Sequence, residues 1–478
     1  MSVRFFLPNG SSGQYEWGSL LVYFDSPVYA TTLPRIFASF AEETAMWNTA
    51  AEFRATVALM HETVHYLQDM LTGVGYWDYL VRRSSLSTLL SSARTLSRVP
   101  GLSVPYRDQA LSVSEIENAR NHIVTSSIYI PTARLSTGMR DDLVAAIRSV
   151  IAAEVPQGEE EAFLVENLLE AEAAAVVCLQ ILTLKRSKRQ QEIGSDNSQL
   201  WLPDKMGDPY RSTLEGFFDA INRAMGDEAT VQAVINSNPP AYMRTLCELV
   251  AFFLDLACAH PSPRLLAKLG LLKSDFHPGI KFLRLVRRLH ELSDESTRDF
   301  FDAFNKSAYG VMEELLFKNG SFGYLPSRDI YEDWADVFQE LAQNDNSLSL
   351  KLRLEACRSR LSHPSVCAIK ALWGFLEHKI PIFVNTPNGF RSWSSKWEHL
   401  DPTEGATLLI DILYDEHRLA LADYFFETGS YVCPLGTLHV CSAAESICCS
   451  GIMQNSQFPP EPGCAVRRNL VMDGFTLK

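Results

Sequence analysis

The chain is short of positive charge. Its 43 lysines and arginines stand against 57 aspartates and glutamates, a formal net charge of −14 over 478 residues. A field of that sign repels polyanions, which argues against nucleic acid or an anionic bilayer as the main partner. Long apolar runs are missing too. The longest, around residues 171–184, contains Glu172 and Gln180 and is too short to span a membrane. The opening residues, MSVRFFLPNGSSGQYEWGS, lack a charged n-region, an apolar h-region and a small-residue cleavage site. These absences predict a cytoplasmic chain with no membrane attachment. There is no Walker A loop, no G-x-G-x-x-G after a strand and no G-x-S-x-G elbow, so nucleotide-dependent and serine-hydrolase chemistry find no support.

At 46% hydrophobic and 21% charged, the chain has apolar material for one large core or two to three smaller ones. Cys178, Cys247 and Cys258 sit in apolar, helix-like stretches where a thiol acts as a small hydrophobe. Cys433, Cys441, Cys448, Cys449 and Cys464 gather near the C-terminus around His439. They include no C-x-x-C pair, so buried free thiols are expected there rather than a second metal.

Residues 19–32, SLLVYFDSPVYATT, predict two short strands flanking a turn. The spacing of Phe53, Val57, Met60, Val64, Leu67 and Leu71 predicts a helix over 49–72, with Gly73 ending it in a left-handed cap. Glu159, Glu160 and Glu161 at one end of the next apolar stretch, and Lys185, Arg186, Lys188 and Arg189 at the other, complement a helix dipole and predict one helix over 159–190. A polar hinge follows. From 212 to 380 successive helices are expected, three of them opening at His260-Pro261, His277-Pro278 and His363-Pro364. Lys281, Arg284 and Arg288 are read as a solvated helix face opposite Phe282, Leu285 and Leu289. Residues 381–478, richer in proline and glycine, are read as a small separate module.

Chemistry concentrates in VALMHETVHYLQDML, residues 57–71. Helix residues four apart share a face, so His61 and His65 can direct ring nitrogens at one ion. Glu62 projects about 100° further around the axis, beside such an ion and within reach of a bound water. Two imidazoles and a carboxylate so placed suit metal-assisted hydrolysis, and zinc fits the ligand type. With eleven histidines in the chain, H-E-x-x-H arises by chance in roughly one such chain in fifty, so its amphipathic setting has to carry part of the argument. The E-x-x-H spacing of di-iron bundles lacks its second copy.

The region resembles the zincin metallopeptidases. HETVHYLQD followed by LEAEA resembles the pattern H-E-x-x-H-x-x-Q-D with a later E-G-x-A found in bacterial zincin-like proteins, over about residues 50–180, with Ala171 where that pattern has glycine. The resemblance implies a zinc-dependent peptide-bond hydrolase of the gluzincin kind, with a glutamate as third ligand. A metzincin continuation fails at Gln68 and Leu71, and Asp78 lacks the neighbours of an aspzincin ligand. Apolar surroundings leave Glu170, Glu172, Glu166 and Glu248 as candidates, because a buried carboxylate needs a partner. The resembled motif selects Glu170.

The expected fold is mostly α (α+β). It comprises a zincin-like catalytic region with a small N-terminal sheet over 1–190, a helical region over 212–380 that regulates or shapes access, and a C-terminal cysteine-containing module over 381–478. His61, His65 and Glu170 are expected to hold Zn²⁺, with Glu62 as general base acting on a protein or peptide substrate. Tyr210, His122 or His260 would stabilise the oxyanion, and an edge strand near 19–32 would hold the substrate. The competing expectation is a catalytically silent zincin-fold sensor or interaction protein.

Overall fold

The computed structural model describes residues 13–16, 21–24, 44–106 except 99, 163–198, 238–317, 325–362 except 345 and 346, and short pieces elsewhere, including 382–386, 389–393 and 424–432. Over these residues the protein is mostly helical. Among them, no helix is long and apolar enough to cross a membrane.

Helix α1, Ala50–Leu71, starts where the Thr49 side chain accepts from the Glu52 amide and the Glu52 carboxylate accepts from the Asn48 amide. Thr49 thus satisfies one donor that a helix start otherwise leaves without a partner, and Glu52 ties down the residue before the cap. From Val57 onward nearly every residue is buried, so α1 runs through the core rather than along a surface. Thr72, extended, ends α1 and caps α2, Gly73–Leu96. Gly73 therefore opens a helix, contrary to the expected left-handed cap. Its reason is close approach, since a Cβ there would lie 2.3 Å from the His260 backbone nitrogen and oxygen.

The single helix expected over 159–190 is also corrected. Residues 159–162 lie outside the described residues. Helix α3 is Val165–Thr183, and α4, Lys188–Asp196, is a separate element. Between them Leu184 is extended, and the Lys185 carbonyl accepts from the Ala45 amide at 3.0 Å. Ser187 and Gln190 form a capping box that starts α4. Gln190 also donates to the Ala45 carbonyl, and its own carbonyl accepts from Trp47 Nε1. The strand-like approach to α1 thus crosses the break between α3 and α4, and the basic run serves a junction rather than a helix end.

Helix α5, Pro239–Cys258, packs along α3. Helix α6, Pro263–Leu269, opens at Ser262-Pro263 rather than at His260-Pro261, because the Ser262 hydroxyl accepts from the Leu265 amide. Helix α7, Pro278–His290, opens as expected, with His277 capping the Gly279 amide and Pro278 at the first position. His363 lies outside the described residues. Lys281 departs from the solvated face assigned to it. It is buried, and its ammonium donates to the Ala259 carbonyl at 2.9 Å, while Arg288 donates to the Leu316 carbonyl. Burial pushes the Lys281 amine down to about 8.

Helices α8 (Asp294–Asn305), α9 (Tyr309–Phe317), α10 (Ser327–Asn344) and α11 (Leu348–Ser362) follow. Their apolar faces join those of α1, α3 and α5 in one cluster of buried residues that reaches from Tyr15 to Cys357. Short strands accompany the helices: β1 (Gly13–Glu16) pairs antiparallel with β2 (Leu21–Phe24), β2 parallel with β3 (Ile382–Thr386), and β3 antiparallel with β4 (Gly389–Trp393). The strand expected beyond Asp25 lies outside the described residues, as do the C-terminal cysteines.

Candidate metal centre

One turn of α1 puts His61 and His65 on the same face, their rings meeting edge to face at a centroid distance of 4.6 Å. Helix α3 crosses that face and brings in Glu170. His61 Nε2 lies 3.0 Å from Glu170 Oε2, His65 Nε2 lies 3.3 Å from Glu170 Oε1, and the two Nε2 atoms are 3.0 Å apart. Ligands about 2.0–2.1 Å from a tetrahedral centre are separated from one another by roughly 3.3 Å. The three observed separations approach that edge length. Among the described residues, His61, His65 and Glu170 form the group of donors able to hold a metal ion.

The charge arrangement fits a cation. Glu170 is buried, yet its carboxyl falls to about 2, because His65 and His61 outweigh the desolvation that would raise it. Burial alone would lower the His65 imidazole, and the Glu170 carboxylate beside it raises it to about 9 instead. In protein without an ion, a proton on His65 supplies the positive charge that this carboxylate demands.

Glu62 is buried beside the group. Desolvation raises its carboxyl above the usual range, opposed by His61, His65 and a hydrogen bond from the Tyr15 amide. Its Oε2 has no hydrogen-bond partner among the described residues. A buried acceptor left in that condition calls for a water, a proton or a substrate.

The other glutamates do other things. Glu172 accepts from Gln68 Nε2 at 2.9 Å. Glu248 accepts from the Tyr309 hydroxyl at 3.1 Å. The Glu166 side chain, Tyr210 and His122 lie outside the described residues. Asp78 is paired with Arg82 at 2.6 Å, one turn along α2. His260 packs against Trp77 and Phe276 with Nδ1 on the Pro261 carbonyl, a core position.

Sequence reasoning gave no role to four residues that shape the site, although two of them, Gln68 and Asp69, are the Q-D of the resembled motif. Gln68, one turn beyond His65, places its Oε1 2.8 Å from His65 Nδ1. Asp69 accepts from the Tyr15 hydroxyl at 2.7 Å and from Arg353 at 2.8 Å, and Arg353 also donates to the Asp69 carbonyl. The Arg353 guanidinium lies over the Tyr79 ring, 4.5 Å from its centroid. The i, i+3 spacing of His65 and Gln68 was a usable signal. Nothing in the local sequence pointed to Tyr15 or Arg353, 54 and 284 residues from Asp69. Searches for relatives returned no matching protein family, no matching curated protein and no matching solved structure.

Proposed function

We propose that the protein is a zinc-dependent endopeptidase that cleaves a peptide bond of a protein substrate in the cytoplasm, with the helices around α1 and the small N-terminal sheet forming a zincin-like catalytic region. The observation that carries this reading is the convergence of Glu170, 109 residues from His61, on both motif imidazoles, with a second buried carboxylate, Glu62, alongside. The donor set of two imidazoles and one carboxylate matches that of catalytic zinc sites and leaves a position for a further ligand.

His61, His65 and Glu170 would hold the ion, which supplies a Lewis acid and acidifies a bound water. Glu62 Oε2, buried beside those ligands, would be the base that accepts a proton and the acid that returns it to the leaving amine, and burial raises its carboxyl above the usual range, the direction such a role needs. The Tyr15 amide holds the other oxygen of the same carboxylate and so restrains Glu62. Among the described residues β1 is the outermost strand of its sheet and β2 lies inside it, so the edge that would pair with an extended substrate is β1 rather than the 19–32 segment.

The test is cleavage of a proteome-derived peptide library by zinc-loaded wild type and Glu62→Gln, read by mass spectrometry of new termini. Wild type is expected to generate new termini, and Glu62→Gln to lose activity by about 100-fold or more at equal zinc content. Full zinc occupancy in a wild type that cleaves nothing would reject the enzyme and favour the interaction protein.

A further inference from the structure

Gln68 uses every polar atom of its side chain to join the two helices that carry the ligands. Its Nε2 donates to the Leu169 carbonyl and to Glu172 Oε2, both at 2.9 Å, and its Oε1 faces His65 Nδ1 at 2.8 Å. An amide nitrogen suits two acceptors and an amide oxygen does not, so the partners themselves fix which way the amide points. With Oε1 committed as an acceptor, His65 Nδ1 is the donor. When zinc replaces the second ring proton, the Nε2 lone pair is then the one turned toward His61 and Glu170.

Leu169 precedes Glu170, so the same amide also ties α1 to α3 beside the carboxylate ligand. Gln68 is fully buried and Glu172 nearly so. In that setting a displaced amide finds no water to replace its partners.

We propose that Gln68 and Glu172 form a relay that positions His65 and α3 for metal binding: Glu172 orients the Gln68 amide, and Gln68 sets the His65 tautomer. Both are positioning residues, and the inference rests on the metal-centre reading above. It also gives Glu172 an indirect part in metal affinity.

Zinc dissociation constants, measured by competition with a chromophoric chelator, test the relay in wild type, Gln68→Met, Glu172→Ala and the double variant. Far-UV circular dichroism checks the fold of each. Gln68→Met keeps the volume and removes the amide, and is expected to weaken zinc binding about 10- to 100-fold. Glu172→Ala is expected to weaken it less, and to add nothing once Gln68 is already Met, since the two act in series. An imidazole ¹⁵N–¹H spectrum provides a readout that simple loss of stability would not move: the protected His65 Nδ1–H signal of zinc-loaded wild type should vanish in Gln68→Met. Wild-type affinity in Gln68→Met with that signal intact, or independent and additive losses in the double variant, would overturn the relay. A wild type that binds no zinc would overturn the metal centre itself, and the relay with it.

Discussion

His65 and Glu170 link the site to pH. In protein stripped of metal, His65 is raised to about 9 from an unfolded value near 6.5, so its contribution to stability is complete below about 6.5 and is lost as pH rises through about 9. Glu170 is lowered to about 2, so its contribution is present above about 4.3 and is lost as pH falls through about 2. Both contributions are therefore whole only between roughly pH 4.3 and 6.5. Zinc needs the His65 lone pair and so replaces that proton. Melting temperatures of chelator-treated protein should fall between pH 6.5 and 9, and saturating zinc should abolish much of that fall. Parallel declines with and without zinc would contradict the link between the ion and this histidine.

At the scale of elements, the site depends on helices far along the chain. The face of α1 that carries the ligands is read directly from the motif, but the elements beside it are held by Asp69, one turn beyond His65. One carboxylate there holds Tyr15 of β1 and Arg353 of α11. Arg353 and Asp69 are both essentially fully buried, so removing one partner leaves a charge with no compensation. Arg353→Met is expected to destabilise the protein by about 3–5 kcal/mol, and chemical denaturation would measure it. Because Tyr15 lies on the same carboxylate and its amide is on Glu62, the loss should also loosen β1 at the site. Hydrogen exchange at β1 resolves this: faster exchange there is expected, and a loss confined to α11 would mean that Asp69 holds the two elements independently.

Across the whole molecule, what could be read from sequence was local, and what could not was long-range. Helical spacing placed α1 within a residue or so at each end, because a core helix carries its period in its own apolar residues. The E-x-E of LEAEA offered two buried carboxylates; the resembled motif chose Glu170, and the packing of α3 on α1 sets it beside both histidines while Glu172 is held by Gln68. Lys281 was misread because an amphipathic period shows which face is polar but not whether a carbonyl such as that of Ala259 waits there. The helix expected over 159–190 was broken by a pairing with Ala45 that no composition reveals. Whether His61, His65 and Glu170 form one metal centre is decided by anomalous diffraction at the zinc absorption edge from crystals grown with zinc. A single strong peak is expected at the motif, about 2 Å from both Nε2 atoms and from a Glu170 oxygen. A peak ligated by Glu172 or Glu248, or no peak at His61 and His65, would contradict that centre.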